Sequence, residues 1–278
     1  MVIKILLLCL STAYLFGYQI TQETPKTKNL GYGDWFIHTD GELHFMEHWL
    51  RPNDVVFDVG ANVGEWSLYA LGVESSIALY SFEPVPLIFS DLQKKLSEYP
   101  NVQAINLALS DQTGSASFCY YDESYDFSSL SGFWTREVLK ADHELPKIIE
   151  VEQDTVAHFC SERGIEKIDF LKIDAEGAEW IILKGAASLI ENNQIQSIQF
   201  EYGGCYVDAK ATLEEIYYFL KKHGYLIFRL MPDGLIEIKE WNRHLENFDL
   251  SNYVAIKTEA YFNRFMAGDG LKYLGPNH

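Results

Sequence analysis

The sequence predicts an α/β fold built on a mostly parallel sheet with helices on both faces. Short apolar runs, typical of buried strands, alternate with segments of helical length from residue 55 onward. The strand runs are apolar without interruption, as expected for strands that are covered on both sides. The 278 residues leave room for one such domain with additions.

Six buried strands are predicted from compact apolar runs. They cover residues 55–59, 77–82, 102–109, 168–173, 195–200 and 225–230. A hairpin is predicted around residues 115–121 and a turn at Pro232-Asp233-Gly234, because proline, aspartate and glycine favour tight turns. Residues 253–257 can supply a last strand.

Helices are predicted between these strands. The helix at 155–163 ends at Gly164 and the helix at 213–223 at Gly224, since glycine closes a helix without strain. An earlier helix at 42–50 is stopped by the sequence Arg-Pro-Asn-Asp. The remaining helices are predicted at residues 65–72, 87–99 and 178–191.

Composition divides the chain into four segments. Residues 1–20 carry one early lysine and a mostly apolar run, which predicts a signal or membrane-anchor segment; the alternative is a helix or strand packed on the domain. Residues 21–53 are interpreted as a linker with a helical extension, 54–260 as the main domain and 261–278 as a tail. Membrane association or export is therefore expected, and otherwise a cytoplasmic location.

The surface is strongly acidic, because 22 basic and 40 acidic residues give a formal net charge of −18. Such a charge repels phosphate backbones, so nucleic acid is not an expected partner and a small molecule or glycan fits better. The four cysteines, at positions 9, 119, 160 and 205, form no CxxC pair. Neither a disulfide framework nor a zinc site is expected.

The strongest motif is the loop at residues 58–64, DVGANVG, directly after the first strand and before a helix. Gly60 and Gly64 let the backbone turn tightly and approach a ligand. The N–H groups at the helix start favour a carboxylate, and Asp58 can accept from a cationic amine. One end of a free amino acid presents both groups, which predicts the methionine part of S-adenosylmethionine as the ligand.

A dinucleotide fits this loop less well. Its fingerprint reads G-x-G-x-x-G, whereas Asn62 stands between Gly60 and Gly64 and the third glycine is missing. The alternative without a ligand is a strand–helix turn that merely contains glycines.

Two further strand ends supply cofactor candidates. Glu83 follows the second strand, about 20 residues beyond the loop, where an acid can bind both ribose hydroxyls; the alternative is a solvated carboxylate. Asn106 and Ala108 end the third strand, where the adenine is expected. Ala108 would pack on the base with its leucine neighbours, and Asn106 or Ser110 would bond its edge, although such a turn is also common without a ligand.

Asp174 and Glu176 are the catalytic candidates, between the fourth strand and a helix. Carboxylates there would position or deprotonate an acceptor hydroxyl, and methyl transfer depends strongly on such orientation. The alternative makes one of them a helix N-cap. Glu201 ends the fifth strand in the same region. Three acids would be able to hold a divalent cation, but no histidine joins them at a fixed spacing and no metal is predicted.

The acceptor pocket is expected to draw on the polar and aromatic insert at residues 122–147. His143 is a candidate base there, with a surface role as the alternative. Tyr125, Phe133 and Trp134 would line the pocket or pack the insert.

Taken in order, these motifs resemble the FkbM family of S-adenosylmethionine-dependent methyltransferases. The resemblance rests on residues 55–67 (VVFDVGANVGEWS), 81–84 (SFEP), 106–111 (NLALSD), 171–186 (LKIDAEGAEWIILKGA) and 199–202 (QFEY). It implies a Rossmann-like, seven-stranded and mostly parallel sheet with an antiparallel edge strand at residues 253–257.

The resemblance also implies O-methylation of a hydroxyl, commonly on a sugar or a natural-product ring. It places the cofactor on Asp58, Gly60, Asn62 and Gly64, with Glu83 on the ribose and with Asp174 and Glu176 near the reactive methyl.

Three functions compete at this point. The leading hypothesis is an O-methyltransferase acting on a glycan, a lipid-linked sugar or a small hydroxylated metabolite. A nicotinamide-dependent oxidoreductase is the second, and the glycine spacing argues against it. The third is a non-catalytic module that keeps the fold to bind a partner; the intact cofactor motifs weigh against it.

Overall fold

A mixed eight-stranded sheet runs through the protein, together with a second sheet of four strands. The computed structural model describes residue 37 and residues 40–120, 129–130 and 147–265. The strands are β1 Val55–Val59, β2 Ala78–Phe82, β3 Val102–Ile105, β4 Ala108–Ser110, β5 Gly114–Tyr120, β6 Ser129–Leu130, β7 Lys147–Thr155, β8 Phe170–Ile173, β9 Ser197–Tyr202, β10 Tyr225–Met231, β11 Gly234–Glu237 and β12 Ser251–Lys257.

Nine α-helices are found in the described residues. They are α1 Glu42–Trp49, α2 Glu65–Val73, α3 Pro86–Leu96, α4 Val156–Arg163, α5 Glu179–Gly185, α6 Ala187–Glu191, α7 Cys205–Ala209, α8 Leu213–Lys222 and α9 Thr258–Phe265. The helix predicted at residues 178–191 is thus divided at Ala186. The backbone of Gly185 lies so close to the carbonyl of Ser110 that a Cβ there would be 1.9 Å from its oxygen.

The central sheet has the strand order β11-β10-β12-β9-β8-β1-β2-β3. Neighbours from β9 to β3 are all parallel. β12 is antiparallel to both β9 and β10, so β10 points the same way as the parallel strands. Most of the sheet therefore shares one direction, and the predicted α/β class is confirmed.

Two details of the predicted sheet need correction. Residues 253–257 do not form an edge strand, because β12 lies between β9 and β10. All residues of β12 are buried and its backbone pairs on both sides, whereas an edge strand leaves one row of polar groups open. The sheet also has eight strands instead of seven. After the predicted turn at Pro232 and Asp233 the chain reverses direction and forms β11. This strand pairs antiparallel with β10 and is one edge of the sheet.

The strand predicted at residues 102–109 is divided between the two sheets. β3 pairs with β2 in the central sheet, whereas β4 pairs with β7 in the second sheet. Asn106 lies at the division, where its side-chain Nδ2 donates to the main-chain carbonyls of Glu83 and Pro84 at 2.8 and 2.9 Å. β5 completes an antiparallel pair with β7, which the sequence did not predict as a strand.

Hydrophobic cores cover both faces of the central sheet. One contains Phe159 of α4, Leu183 of α5 and Ile216 of α8. The other contains Trp49 of α1 and Trp66 of α2. The predicted helices on both faces are confirmed, and α1 is part of the packed structure.

Several predictions fall outside the described residues. They concern the apolar segment at residues 1–20, the linker up to residue 36, the insert with Tyr125, Phe133, Trp134 and His143, and residues 266–278. Within the described ranges, the structure contains no helix with the length and apolar character needed to cross a membrane.

Candidate functional site

The candidate residues meet at the carboxyl ends of the central strands. β1 lies between β2 on one side and β8 on the other. The chain first builds outward through β2 and β3, and then returns to the opposite side of β1 with β8 and β9. Open α/β sheets bind ligands at such a switch point, in the crevice beyond the strand ends.

The two glycines of the loop at residues 58–64 are required by their surroundings. Gly60 has a φ of 79°, and a Cβ on it would lie 1.8 Å from the carbonyl oxygen of Asp174 in the loop after β8. Gly64 has a φ of 84° and directly precedes α2, and its Cβ would be 2.7 Å from the side chain of Leu92. The loop is therefore packed closely between β8 and α3, and side chains at these positions would move it.

Glu83 ties the end of β2 to this loop. Its Oε2 accepts the backbone N–H of Asn62 at 3.1 Å, and its Oε1 accepts that of Val85 at 2.8 Å. Asn62 holds a left-handed conformation with a φ of 49°. Burial raises the pKa of Glu83 to about 7, although both N–H groups lower it. The carboxylate is thus fixed in place and titrates near neutral pH.

Asn106 and Ala108 lie beside Glu83. The two hydrogen bonds of Asn106 Nδ2 hold the main chain at Glu83 and Pro84, so this amide nitrogen positions the acid. Ala108 is buried at the start of β4. A contact of either residue with an adenine ring remains a prediction.

Asp58 has protein partners for both of its oxygens. It is fully buried at the end of β1; Oδ2 accepts the hydroxyl of Ser67 at 2.7 Å, and Oδ1 lies 3.3 Å from Nζ of Lys172. The same Nζ lies 3.3 Å from Oδ2 of Asp174. Burial lowers the pKa of Lys172, but the charges of Asp58, Asp174 and Glu42 outweigh this effect and raise it above its usual value. Lys172 therefore stays charged and links the ends of β1 and β8.

Lys172 lies within the motif of residues 171–186, but no role was predicted for it from the sequence. A signal was present, since a lysine in the middle of an uninterrupted apolar strand is almost never buried without a charged partner. Its neighbours in β8 are all buried, and Lys172 itself is only 4% exposed.

The loop after β8 carries the two catalytic candidates. Glu176 and Gly177 both have positive φ, 52° and 99°, so the chain turns sharply between β8 and α5. The residue that precedes α5 is Ala178, and no side chain caps this helix. The alternative in which Asp174 or Glu176 serves as its N-cap is therefore excluded.

Glu179 is a buried acid that sequence reasoning left without a role. It is fully buried, and its Oε1 accepts the backbone N–H of Ala175 at 2.8 Å. Within the described residues no hydrogen bond reaches its Oε2, although the backbone N–H groups of Gly177 and Glu179 are near enough to lower its pKa. Burial raises its pKa to about 8, and the negative charge of Asp174 adds to this shift.

Glu201 joins this group from β9, as expected from its place at a strand end. Carboxylate oxygens of Asp174, Glu176 and Glu201 all lie within 4.8 Å of one another. Burial raises the pKa of Glu201 well above its usual value, and the charges of Asp174, Glu176 and Glu179 raise it further. The three acids thus form one carboxylate cluster at the ends of β8 and β9.

Glu42 reaches the same region from α1, which no local pattern could show. Its carboxylate accepts from Gln199 Nε2 at 2.6 Å and from Asn252 Nδ2 at 3.2 Å. Burial raises the pKa of Glu42, while the charge of Lys172 lowers it. The crevice is therefore rich in acceptors and negative charge, which suits a cationic ligand or a donor such as a hydroxyl.

The sequence is similar to those of known proteins. The profile of the Methyltransferase FkbM domain matches residues 58–227. The chain is 30% identical over 219 residues to the AMB antimetabolite synthetase AmbE of Pseudomonas aeruginosa, covering 68% of this chain but only 10% of that protein. It is 28% identical to the 31-O-demethyl-FK506 methyltransferase FkbM of Streptomyces tacrolimicus, covering 64% of this chain and 75% of that protein.

Two further similarities are weaker. The 2-O-methyltransferase NoeI of Sinorhizobium fredii is 24% identical, over 49% of this chain and 58% of that protein. The solved structure of the precorrin-6y C5,15-methyltransferase of Geobacter metallireducens aligns with a TM-score of 0.41 at 11% identity, over 84% of this chain and 96% of that one. The family profile alone spans more than half of the chain, and the matched motifs at residues 58–64, 83 and 174–176 lie at the carboxyl ends of the central strands. The chain belongs to the FkbM methyltransferase family.

Proposed function

We propose that the protein transfers a methyl group from S-adenosylmethionine to a hydroxyl of a sugar, a glycan or a small metabolite. The observation that carries this proposal is the hydrogen bond between Glu83 and the loop at residues 58–64, through the N–H of Asn62. The acid expected to bind the ribose is thus adjacent to the loop expected to bind the methionine end. One ligand would therefore be able to reach both groups.

The predicted cofactor residues then have separate tasks. Gly60, Asn62 and Gly64 would present the backbone of the loop to the cofactor, and the ionised carboxylate of Glu83 would accept from the ribose hydroxyls. Asp58 is fully buried, so it would act through Lys172 and Ser67 by fixing the loop and α2.

Two residues would shape the site for the adenine. Asn106 would hold Glu83 in position through its hydrogen bonds to the main-chain carbonyls of Glu83 and Pro84. Ala108, with its small side chain at the start of β4, would form part of the adenine wall.

Transfer to oxygen is supported by the carboxylates beside the loop. S-adenosylmethionine, when bound, would supply the methyl group to the acceptor oxygen and leave as the neutral thioether S-adenosylhomocysteine. Asp174 or Glu176 would orient the acceptor hydroxyl and take up its proton. The names of FkbM and NoeI describe O-methyltransferases, which supports the same reaction class for this chain.

Calorimetric titration of the full chain with S-adenosylmethionine tests the proposal. We expect binding to the wild type, with Glu83→Gln weakening it by about 10- to 100-fold because charge-assisted hydrogen bonds to the ribose are lost. The exposed acid Glu98 offers a matched control, and Glu98→Gln should bind like the wild type.

Two outcomes contradict the proposal. Folded protein that gives no heat with S-adenosylmethionine rules out the methyltransferase, and binding of NAD in its place would favour an oxidoreductase. Cofactor binding without methyl transfer to any hydroxylated acceptor would instead favour a non-catalytic module.

A further inference from the structure

We propose that Asp174, Glu176 and Glu201 bind a divalent cation of the magnesium type beside the methyl-transfer site. The site itself follows from the described residues, and only its catalytic role rests on the proposed function. The cation would be held at the ends of β8 and β9, next to the loop at residues 58–64.

The geometry of the carboxylate cluster fits a small hard cation. One oxygen from each of the three acids lies within 4.8 Å of the others, so small side-chain movements would bring all three oxygens onto one cation. Two ligands come from the sharp turn after β8 and the third from β9, the neighbouring parallel strand. Two adjacent strands of the central sheet therefore position the three ligands.

Lys172 contacts one acid of the carboxylate cluster. Its Nζ lies 3.3 Å from Oδ2 of Asp174 and 3.3 Å from Oδ1 of Asp58 in the neighbouring strand β1. Its charge also acts on Glu42, so it is shared among several acids and is not dedicated to the cluster.

A buried and unpartnered oxygen gives independent support. Glu179 is fully buried, and its Oε2 has no hydrogen-bond donor within the described part of the chain. Its other oxygen is bound to the N–H of Ala175, so the carboxylate lies under the turn that carries Asp174 and Glu176. Electrostatic interactions of Glu179 with Asp174 and Glu201 agree with this position. A cation, or a water bound to one, would satisfy this oxygen.

The ligand types identify the cation class. Carboxylate oxygens alone suit Mg²⁺, Mn²⁺ or Ca²⁺, whereas Zn²⁺ prefers nitrogen and sulfur ligands. Mg²⁺ keeps several waters when few carboxylates hold it, so positions remain for an acceptor hydroxyl. Coordination would orient that hydroxyl and lower its pKa, in support of the proton transfer to a carboxylate.

A second cluster, made of His44, Glu47 and His48 on α1, also has its ligand atoms within 4.8 Å of one another. Its two imidazoles suit softer divalent metals. It lies on a different element from the carboxylate cluster, so mutations separate the two sites.

Mn²⁺ titration of the full chain, followed by the electron paramagnetic resonance signal of free Mn²⁺, tests the inference. We expect one Mn²⁺ ion to bind per chain, and Mg²⁺ should displace it. Asp174→Asn and Glu201→Gln should each weaken Mn²⁺ binding at least tenfold. Glu176→Gln provides a third variant, and all three acids are partly exposed; circular dichroism monitors folding in each variant.

His44→Ala and Glu47→Gln are the controls and should leave Mn²⁺ binding unchanged. Binding that is lost in His44→Ala but survives in the three carboxylate variants overturns the inference, as does the absence of any Mn²⁺ binding.

The cofactor titration is run in parallel in the presence of a chelator. Binding of S-adenosylmethionine without any Mn²⁺ site overturns this inference and leaves the proposed function. Mn²⁺ binding without cofactor binding supports this inference and contradicts the proposed function.

Discussion

Replacing Gly60 with alanine should damage both the fold and the cofactor loop. At a φ of 79°, an alanine costs about 1–2 kcal/mol relative to glycine. Its Cβ would also be 1.8 Å from the carbonyl oxygen of Asp174, so the two loops must separate by at least about 1.5 Å to reach ordinary contact. That movement strains the hydrogen bond from the N–H of Asp174 to the carbonyl of Val59, and losing it costs about 1–3 kcal/mol.

The expected loss of unfolding free energy is therefore about 2–5 kcal/mol, which urea denaturation can measure. Because the movement opens the crevice, the affinity for S-adenosylmethionine should fall at least tenfold under conditions in which the variant is folded. Gly72 provides the matched control, since it is exposed in α2 and a Cβ there meets nothing within 4 Å. Gly72→Ala should stabilise the protein by about 0.5–1 kcal/mol and leave the affinity unchanged. A Gly60→Ala variant with wild-type stability and affinity would refute this account of the loop.

Further predictions concern four charged and polar residues around the loop. Affinity for S-adenosylmethionine should rise between pH 6 and pH 8 as Glu83 ionises through its pKa of about 7, and calorimetry should show a flatter profile for Glu83→Gln. Because this pKa is raised in the folded protein, the same group should make the wild type less stable as pH increases from about 4.5 to 7, and thermal melts of Glu83→Gln should show a smaller decrease. Lys172→Met should lower the free energy of unfolding by about 3–5 kcal/mol, because buried Asp58 loses its cationic partner. In a double-mutant cycle with Asp58→Asn the two losses should be clearly non-additive, and additive losses would contradict the ion pair. Asn106→Ala should lower stability by only about 0.5–1.5 kcal/mol, because this side chain is exposed and water can replace its amide, and it should weaken cofactor binding through Glu83. Unchanged affinity would make Asn106 purely structural. Asp174→Asn should lower turnover more than cofactor affinity, and equal losses would assign Asp174 to cofactor binding.

The sequence was sufficient for features that depend on neighbours along the chain. Apolar runs located the buried strands, and the glycine loop was correctly placed between β1 and α2. Acids at the ends of parallel strands were expected to share one edge, and Asp174, Glu176 and Glu201 do so. In each case the spacing is set by local backbone geometry, which residue types report directly.

The remaining features depend on contacts between distant residues. Asn106 divides a predicted strand because it bonds to carbonyls at Glu83 and Pro84, and no local pattern reveals that partner. Glu42 lies 157 residues from Gln199, to which it is hydrogen-bonded in the site. The position of residues 253–257 inside the sheet follows from pairing on both sides, which strand propensity does not specify.

The interior position of β12 also determines when the sheet can be completed during synthesis. β9 and β10 do not pair with each other, and the hairpin of β10 and β11 joins the sheet only through β12. Until residues 251–257 have left the ribosome, the nascent chain carries two open strand edges, on β9 and on β10. Insertion of one late segment must close both edges, so a chain that stops before residue 251 would expose two templates for aggregation at once.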